Sequence, residues 1–502
     1  MASRTTNSLR NLRYGLAGQF LSLIVGFVAR SVFVHTLSAE YLGINGLFAN
    51  ILTVLSVAEL GIGSAIVYSM YQPLAQRDEG RLLSLMGVYR KAYIAIGVAV
   101  AFAGTLILPF LPLIVREMPS IPNLQAIYLL FVANSSITYF FSYKRAFLIA
   151  DQKRYITSIY RYGFFLALNA VQIFILVAFG DYLLFLLAQV AFTFAENVAV
   201  SRRVDRMYPF LRARPAPPLS SSDRQTIIQN VKALVLLRVS GAVRGGIDSV
   251  LISALAGVVA VGIYSNYLLI TSALSVVFGV AFSSVTASVG NLNALGPVQK
   301  RMETFRAVDT AVYLAHSSAA VSLFVLFNPF IALWLGREYL FDETVVAAIV
   351  INFYLVGMRN SLWVFKDAMG LYWKDRFRPL PELFVGLLGS VFLGQHFGVL
   401  GVLGGGILSL LLVSLPLEPL VLFRYGLESP VRPYYLEYLM RLLLTLLAGS
   451  LTWALSRQVS AQGWSGFIVS VLACLLIPNL LNVSVFWRSV GFRRLLSLVS
   501  QS

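Results

Sequence analysis

The chain has 502 residues, of which 58% are hydrophobic and only 12% charged, about half the charged share of a soluble domain. So little charge could not cover the surface of a soluble enzyme, and a disordered chain would be far less apolar, so both classes are excluded. The net charge of +17 would suggest a nucleic-acid partner in a soluble protein; here its meaning depends on where the cations lie.

Arg4, Arg10 and Arg13 precede an apolar run from Tyr14 to Leu37. That run is too long for the core of a secretory signal and no small-x-small cleavage site follows it, so it reads as a retained first span. Blocks of the length that crosses a bilayer, roughly 20 residues, recur along the rest of the chain. Fourteen spans are predicted, at 14–36, 43–70, 90–115, 124–149, 156–179, 182–204, 228–254, 259–289, 306–335, 344–368, 380–397, 400–424, 435–457 and 464–487. The fold class is therefore an all-α polytopic membrane protein.

The basic residues test this count. Alternate connecting segments, with both termini on the same side, hold 32 of the 39 lysines and arginines, and the opposite side holds only Arg116, Arg337 and Arg457. Such a split places the rich side, and both termini, in the cytoplasm. The remaining four cations, Arg30, Arg238, Arg244 and Arg359, lie inside spans. The net charge is thus mainly a topology signal, and nucleic acid is not expected as a partner. The outer loops are short, which leaves no room for an external catalytic domain.

The longest inner loop carries RARPAPPLSSSDRQ, a Pro- and Ser-rich linker. It divides the chain into a six-helix bundle over 1–206, a linker over 207–227, a second six-helix bundle over 228–430, and two additional helices with a tail over 431–502. An internal repeat is expected: an offset of 219 sets Asn11 on Asn230, Gly43 on Gly262, Ile44 on Ile263 and Ser64 on Ser283. Equal halves of this kind are the pattern of a transporter built from repeats related by an axis along the membrane normal.

Charges inside a bilayer cost roughly 2.5–3.5 kcal/mol each at mid-membrane on insertion scales, so they mark function or pairing. Six stand out: Arg30, Glu59, Arg238, Arg244, Asp248 and Arg359, a net excess of two cations. Arg244 and Asp248 share a helix face and can pair, as can Glu59 with Arg30 across the first two spans. Arg238 and Arg359 have no acidic neighbour in sequence. An unpaired buried cation is costly, so a water-filled cavity or an anionic ligand is expected at these two, and the planar guanidinium fork suits phosphate. Under the repeat, Arg30 and Asp248 fall one position apart, placing charge at matching depth in both halves.

The remaining polar residues carry less. Cys474 is the single cysteine and His35, His316 and His396 lie far apart, so no metal site is expected. His316 reads as a hydrogen-bonded core residue. Asn134, Asn169, Gln172, Asn266 and Asn352 are expected to bond between helices; Tyr139, Tyr264 and Tyr267 belong to interfacial belts or, as a minor reading, stack on sugar rings. The glycine run within 398–408 reads as helix packing or a kink, since no phosphate-loop lysine follows it.

The stretch LGINGLFANILTVLSVAELGIGSAIVYSMYQPLAQRDE at 42–79, with NLRYGLAGQFLSLIVGFVARSVFVHTL before it, resembles the second and first spans of bacterial polysaccharide exporters. These are O-antigen-type flippases of the multidrug/oligosaccharidyl-lipid/polysaccharide (MOP) superfamily. The resemblance extends over the whole chain in length and span number, and is most specific at 42–79. It implies two six-helix bundles around a central cationic cleft, plus two C-terminal helices, in the bacterial cytoplasmic membrane. It also implies translocation of a polyprenyl-diphosphate-linked oligosaccharide for capsule, exopolysaccharide or cell-wall polymer by alternating access. Polysaccharide polymerases and glycosyltransferases are the implied partners. Arg30 takes its substrate-binding role by motif position; Arg238, Arg244 and Arg359 do so only by span and charge. Glu59 and Asp248 are the acids through which H+ or Na+ coupling would run, with no other cofactor. An ion-coupled multidrug exporter of the same superfamily is the alternative, disfavoured by the cationic excess and the two extra spans. A membrane polymerase or glycosyltransferase is a more distant one, lacking the external loop or paired aspartates it would need.

Overall fold

The computed structural model describes residues 4–59, 62–115, 119–212, 218–219, 224–225, 246–283, 298–458 and 463–499. Among these residues the chain is helical throughout, with no strand. With no water in a bilayer core, a helix is the structure that satisfies its own backbone groups. Eleven described helices are long and apolar enough to cross a membrane.

The eleven and the fourteen reconcile in three places. The longest candidate, Pro379–Tyr425, contains two predicted spans. It folds back at Gly398, whose φ of 56° lies in the left-handed region that glycine enters without steric cost. The seventh predicted span is described only over Gly246–Ala256. The second, expected as one continuous helix over 43–70, is broken: Ala39–Leu55 gives way to a 3-10 turn at Ser56–Glu59, and helix resumes at Ile62–Gln76.

The helices used below are α1 Arg4–Thr36, α2 Ala39–Leu55, α3 Ile62–Gln76, α4 Glu79–Ile107, α5 Leu124–Ala150, α6 Arg154–Phe179, α7 Tyr182–Met207, α8 Gly246–Ala256 and α9 Val258–Ser283. They continue as α10 Val298–Trp334, α11 Glu343–Met358, α12 Asn360–Met369, α13 Pro379–Ser409, α14 Leu415–Tyr425, α15 Arg432–Arg457, α16 Gly463–Phe486 and α17 Val490–Val499. They form two compact units, Met1–Gly262 and Ile263–Ser502. Much of the expected linker at 207–227 lies outside the described residues.

In the first unit α1 packs along α6, and α5 packs on both α4 and α7. Close approach is set by glycine where helices touch: a Cβ on Gly18 would meet the Tyr162 ring at 2.0 Å. Ile66, Met70, Leu85, Met86, Tyr89, Tyr93 and Phe147 make a buried core between α3, α4 and α5. One end of the unit is tied by charge, with Lys144 bonded to Asp205 at 2.7 Å, Arg145 to Glu196 at 2.7 Å and Lys153 to Asp151 at 2.6 Å. Tyr208 also donates to Asp151; burial, and then this bond, raise the phenol's pKa and keep it a donor.

Two of the positions paired by the offset of 219 lie at one helix crossing. That offset sets Ala39 on Val258 and Gly43 on Gly262. A Cβ on Gly43 would stand 2.0 Å from the Val258 carbonyl oxygen, and one on Gly262 would stand 2.7 Å from the Ala39 carbonyl oxygen and 3.3 Å from the Gly43 Cα. The two glycines thus let the first turns of α2 and α9 approach through their backbones.

In the second unit α10 is the central helix and packs against α11, α15, α16 and α17. The glycine run beyond Gly398 does act as helix packing. A Cβ on Gly401 would meet the Leu393 carbonyl oxygen at 2.0 Å, and one on Gly405 the Ser390 nitrogen at 2.0 Å. Ser390 Oγ donates to the Val402 carbonyl at 2.7 Å across the same hairpin. A five-residue π-helix, Leu410–Ser414, joins α13 to α14. Pro416 and Pro419 follow it, and each removes a backbone donor from the helical ladder.

Candidate functional site

Of the six intramembrane charges singled out from sequence, Arg238 and Arg244 lie outside the described residues. Arg30 sits near the C-terminal end of α1 and Asp248 in the described part of α8. Glu59 closes the 3-10 turn that breaks the second span. A broken helix inside a membrane leaves backbone groups to be satisfied and is a recurrent place for ions and substrates in transporters.

The carboxyl of Glu59 accepts from the Tyr93 hydroxyl at 2.7 Å, and Tyr89 bonds Tyr93 in turn at 3.5 Å. Tyr139 stands beside them, its ring centroid 6.3 Å from that of Tyr93. All three tyrosines are buried. Gly63 leaves the room they need, since a Cβ there would lie 2.5 Å from the Tyr93 hydroxyl. Tyr93 is thus a hydrogen-bond donor that the described residues give this carboxyl. Tyr139, weighed above as a sugar-stacking ring, thus belongs to this cluster. Beside the break, Asn50 of α2 donates to Ser249 of α8 at 3.0 Å.

The second unit corrects the expectation for Arg359. It was expected to lack an acidic partner, and it has two: its Nε donates to Glu418 at 2.5 Å and its Nη1 to Glu382 at 3.1 Å. Lys366 bonds Asp375 at 2.8 Å and also reaches Glu418. Arg378 bonds Asp375 at 2.8 Å, approaches Glu418 at 3.5 Å and pairs with Glu382. Trp363 adds a donor to Glu418 at 3.0 Å and lies under the Arg359 guanidinium. Three cations and three anions therefore form one neutral cluster, with the Glu418 side chain at 0% exposure and the other five between 7% and 12%. At Arg378, just outside the helix, burial alone would lower the pKa; the charges of Glu418, Asp375 and Glu382 outweigh it and raise it. The cavity beside Arg359, lined by Leu355, Leu362 and Ser414 among others, measures about 10 Å³, room for at most one water. No diphosphate fits there in this conformation.

Sequence reasoning missed Glu418, Glu382 and Lys366 as members of this cluster, and Lys366 and Arg378 were counted as loop cations. The signal for Glu418 was present: an acid between Pro416 and Pro419 inside an apolar span. Arg441, also counted with the inner loops, lies inside α15 at 2% exposure. It bonds Asp309 of α10 at 2.5 Å, Glu437 at 2.6 Å and Thr310 at 3.2 Å. Glu196, Asp309, Glu382 and Glu418 also lie within predicted spans, as do cations counted with the loops such as Lys144, Arg145, Lys366 and Arg441, so a count over six charges does not describe the spans as a whole. The argument it gave against a drug exporter lapses.

The other polar residues divide. His316 is a core residue as expected, its Nδ1 2.9 Å from the Val312 carbonyl and its Nε2 3.3 Å from the Asn360 amide. Gln172 bonds between helices, to the Phe185 carbonyl at 3.2 Å, whereas Asn169 bonds within its own helix. Asn266 is fully buried, and among the described residues neither its amide atoms nor the Asn134 Oδ1 has a hydrogen-bond partner. Tyr264 and Tyr267 are buried; Tyr267 donates to Asn328 at 2.6 Å and accepts from the Phe341 amide, so its face is not offered to a ligand. Among the described residues no group of three or more His, Cys, Asp or Glu is placed to hold a metal ion.

No protein-family model and no curated protein matches the sequence. Solved structures do. The chain resembles the lipid II flippase MurJ in an inward closed conformation, with a TM-score of 0.67 at 12% identity, over 95% of this chain and 99% of that one. It resembles an inward-facing multidrug resistance MATE-family transporter of the MOP superfamily, with a TM-score of 0.56 at 13% identity, over 88% and 96%. A MATE transporter of Vibrio cholerae, VcmN, gives 0.55 at 13% identity, over 84% and 99%. The class is thus a multi-pass membrane protein with a transporter fold. More narrowly, the chain shares its fold with these solved MurJ and MATE structures, in line with the resemblance read at 42–79.

Proposed function

We propose that the chain is a flippase that carries a polyprenyl-diphosphate-linked oligosaccharide across the bacterial cytoplasmic membrane, for assembly of a surface polysaccharide, with both termini in the cytoplasm. The observation that carries this reading is the likeness to a lipid II flippase over nearly the full length of both chains. The intramembrane arginines agree with it, because a diphosphate needs cationic donors away from water. Arg30, Arg238 and Arg244 are assigned to the diphosphate. Arg359 is assigned instead to the neutral cluster, where Glu418 and Glu382 occupy its guanidinium. Glu59, bonded to a tyrosine hydroxyl, is the better placed of the two acids to exchange a coupling ion; Asp248 is the other. No bond-making step is assigned to the chain, and polymerases and glycosyltransferases would act before and after it.

The test is a lipid extract from a deletion strain, analysed by mass spectrometry and complemented with the wild type or with Arg30→Gln. Accumulation of a complete diphosphate-linked oligosaccharide, cleared by the wild type and not by a well-expressed Arg30→Gln, is the expected result. An unchanged lipid pool with loss of polymer would move the step later and overturn the assignment. The multidrug reading is favoured by the likeness to MATE transporters; it predicts an unchanged lipid pool, intact polymer and heightened drug sensitivity.

A further inference from the structure

The segment that joins α12 to α13 has two faces. Asp375 and Arg378 turn into the six-charge cluster, where each is matched by an opposite charge. Lys374 and Phe377 turn out, Phe377 with 60% of its surface exposed, and the Arg376 guanidinium lies 4.5 Å from the Phe377 ring centroid. The end of α14 meets this outward face. The Tyr425 ring centroid has the Lys374 ammonium at 5.0 Å and the Arg424 guanidinium at 5.5 Å. Two exposed cations are thus gathered on one ring, and among the described residues neither is ion-paired with a carboxylate. The buried charges are neutral as a set, and the exposed ones beside them are not.

Arg424 also lines a cavity of about 320 Å³, together with Leu420, Glu428 and Ser429 among others. Small-molecule sites begin at about 300 Å³, so the cavity has room for a headgroup and not for a whole lipid. The turn that walls it is fixed by the end of α14: the Gly426 and Leu427 amides donate to the Leu422 carbonyl, and the Ser429 amide donates to the Phe423 carbonyl. Leu417, Leu420 and Arg424 recur at intervals of three and four residues along α14, so they share a face, and both leucines are exposed. An apolar track thus ends in a cation, at a cavity that holds a carboxylate and a hydroxyl. Acyl chain, phosphate and polar headgroup follow one another in the same order in a phospholipid.

We infer that this corner of the second unit binds one anionic phospholipid with a hydroxyl-bearing headgroup, of the phosphatidylglycerol type, from the inner leaflet. The leaflet rests on the orientation proposed above, which places both 370–378 and 426–431 at the cytoplasmic face. Lys374 and Arg424 take the phosphate, Leu417 and Leu420 carry an acyl chain, and Glu428 and Ser429 accept from the glycerol hydroxyls. The guanidinium fork of Arg424 suits a phosphate, and basic side chains at this depth attract anionic headgroups. Phosphatidylethanolamine would bring its own ammonium to a rim that already carries Lys374, Arg376, Arg424 and Arg432. Phosphatidylcholine has no headgroup hydroxyl to offer Glu428. The lipid is a resident of the unit and not its cargo: it neutralises the outward face of the segment whose inward face carries the charge cluster.

The experiment uses the full-length chain, purified in detergent and stripped of lipid. Phosphatidylglycerol, phosphatidylethanolamine, phosphatidylcholine or inorganic phosphate is then added back. Native mass spectrometry counts the lipids retained, and thermal unfolding follows stability. The wild type should retain one phosphatidylglycerol in preference to the other two lipids and unfold at a higher temperature with it. At about fivefold per surface cation, Lys374→Gln with Arg424→Gln should weaken retention roughly 25-fold, while Arg424→Lys keeps most of it. Both positions are exposed, so without lipid these variants should unfold at the temperature of the wild type. Equal retention of the three lipids by the wild type overturns the site, as does undiminished retention by the double variant. A preference for phosphatidylethanolamine that Glu428→Gln removes would overturn the anionic assignment. Stabilisation by inorganic phosphate equal to that by phosphatidylglycerol would overturn the lipid. None of these arms uses the transported substrate, so a failure of the glycan-lipid assignment remains distinguishable from a failure of this site. The orientation has its own arm: Phe377→Cys with Cys474→Ala in intact cells should resist a membrane-impermeant maleimide added outside. Labelling there would overturn the inner-leaflet placement.

Discussion

Replacing Glu418 by glutamine should destabilise the second unit more than any single change at an exposed charge. The side chain meets Arg359 at 2.5 Å and Arg378 at 3.5 Å, contacts Lys366, and is wholly buried. At an effective dielectric near 20, two unit charges about 2.8 Å apart attract by roughly 6 kcal/mol, against a desolvation cost of several kcal/mol for each ion. The two nearly cancel while the cluster is neutral. Glu418→Gln leaves three cations facing two anions in a largely buried cluster, so the loss should be about 3–5 kcal/mol, the range for stranding one member of a buried pair. For a unit of this size that corresponds to a fall in unfolding temperature on the order of 10 °C. The assay is thermal unfolding of the purified protein in detergent, followed by fluorescence-detected size exclusion. The double variant Glu418→Gln with Arg359→Gln restores neutrality and should recover a large part of the loss, a coupling that a double-mutant cycle reads directly. An unfolding temperature for Glu418→Gln equal to that of the wild type would refute the reasoning. So would a double variant no more stable than the sum of its parts.

Two further outcomes follow from the same physics. Gly357→Ala would drive a methyl to 1.9 Å from His316 Cδ2, so it should cost about 1–3 kcal/mol as overpacking and be partly relieved by His316→Ala, measured by the same thermal assay. Arg441→Leu strands Asp309 and should cost about 3–5 kcal/mol, whereas Arg441→Met with Asp309→Leu should lie close to the wild type; equal losses in the two variants would contradict a charge-based account.

The spans were legible because each is a continuous apolar block with basic residues on alternate sides, and the turn at Gly398 because glycine and a short polar interruption mark it. The break at Glu59 was not, since the sequence from Leu55 to Met70 stays apolar around a single acid and hydropathy alone cannot tell a broken helix from a whole one. The ionic cluster escaped for a different reason. Arg359 finds its acids 59 and 23 residues away, and Lys366 finds Glu418 52 residues away, so no local pattern joins these pairs; only Arg378, three and four residues from Asp375 and Glu382, is paired locally. Each cation looked like a loop residue or a lone intramembrane charge until the hairpin of α13 and α14 brought the acids back. The two glycines at the offset of 219 lay between these cases: both were visible in sequence, but the reason for them appeared only when Ala39, Gly43, Val258 and Gly262 met.

The polar face of α10 constrains how the chain can be made. Asp309 waits for Arg441, Ser317 for Thr445, Ser318 for Asn479 and Tyr313 for Asn482, partners that follow by 132, 128, 161 and 169 residues. At ribosomal speeds of 5–20 residues per second, that delay is roughly 6–35 s. During it a helix carrying a carboxylate and several hydroxyls must enter the bilayer, or linger at the insertion machinery, without the side chains that satisfy it. The last two helices are therefore late-arriving structural partners rather than an appendage. A chain that stops after residue 430 would keep the Ser361 bond to Asp309 and lack these four later partners.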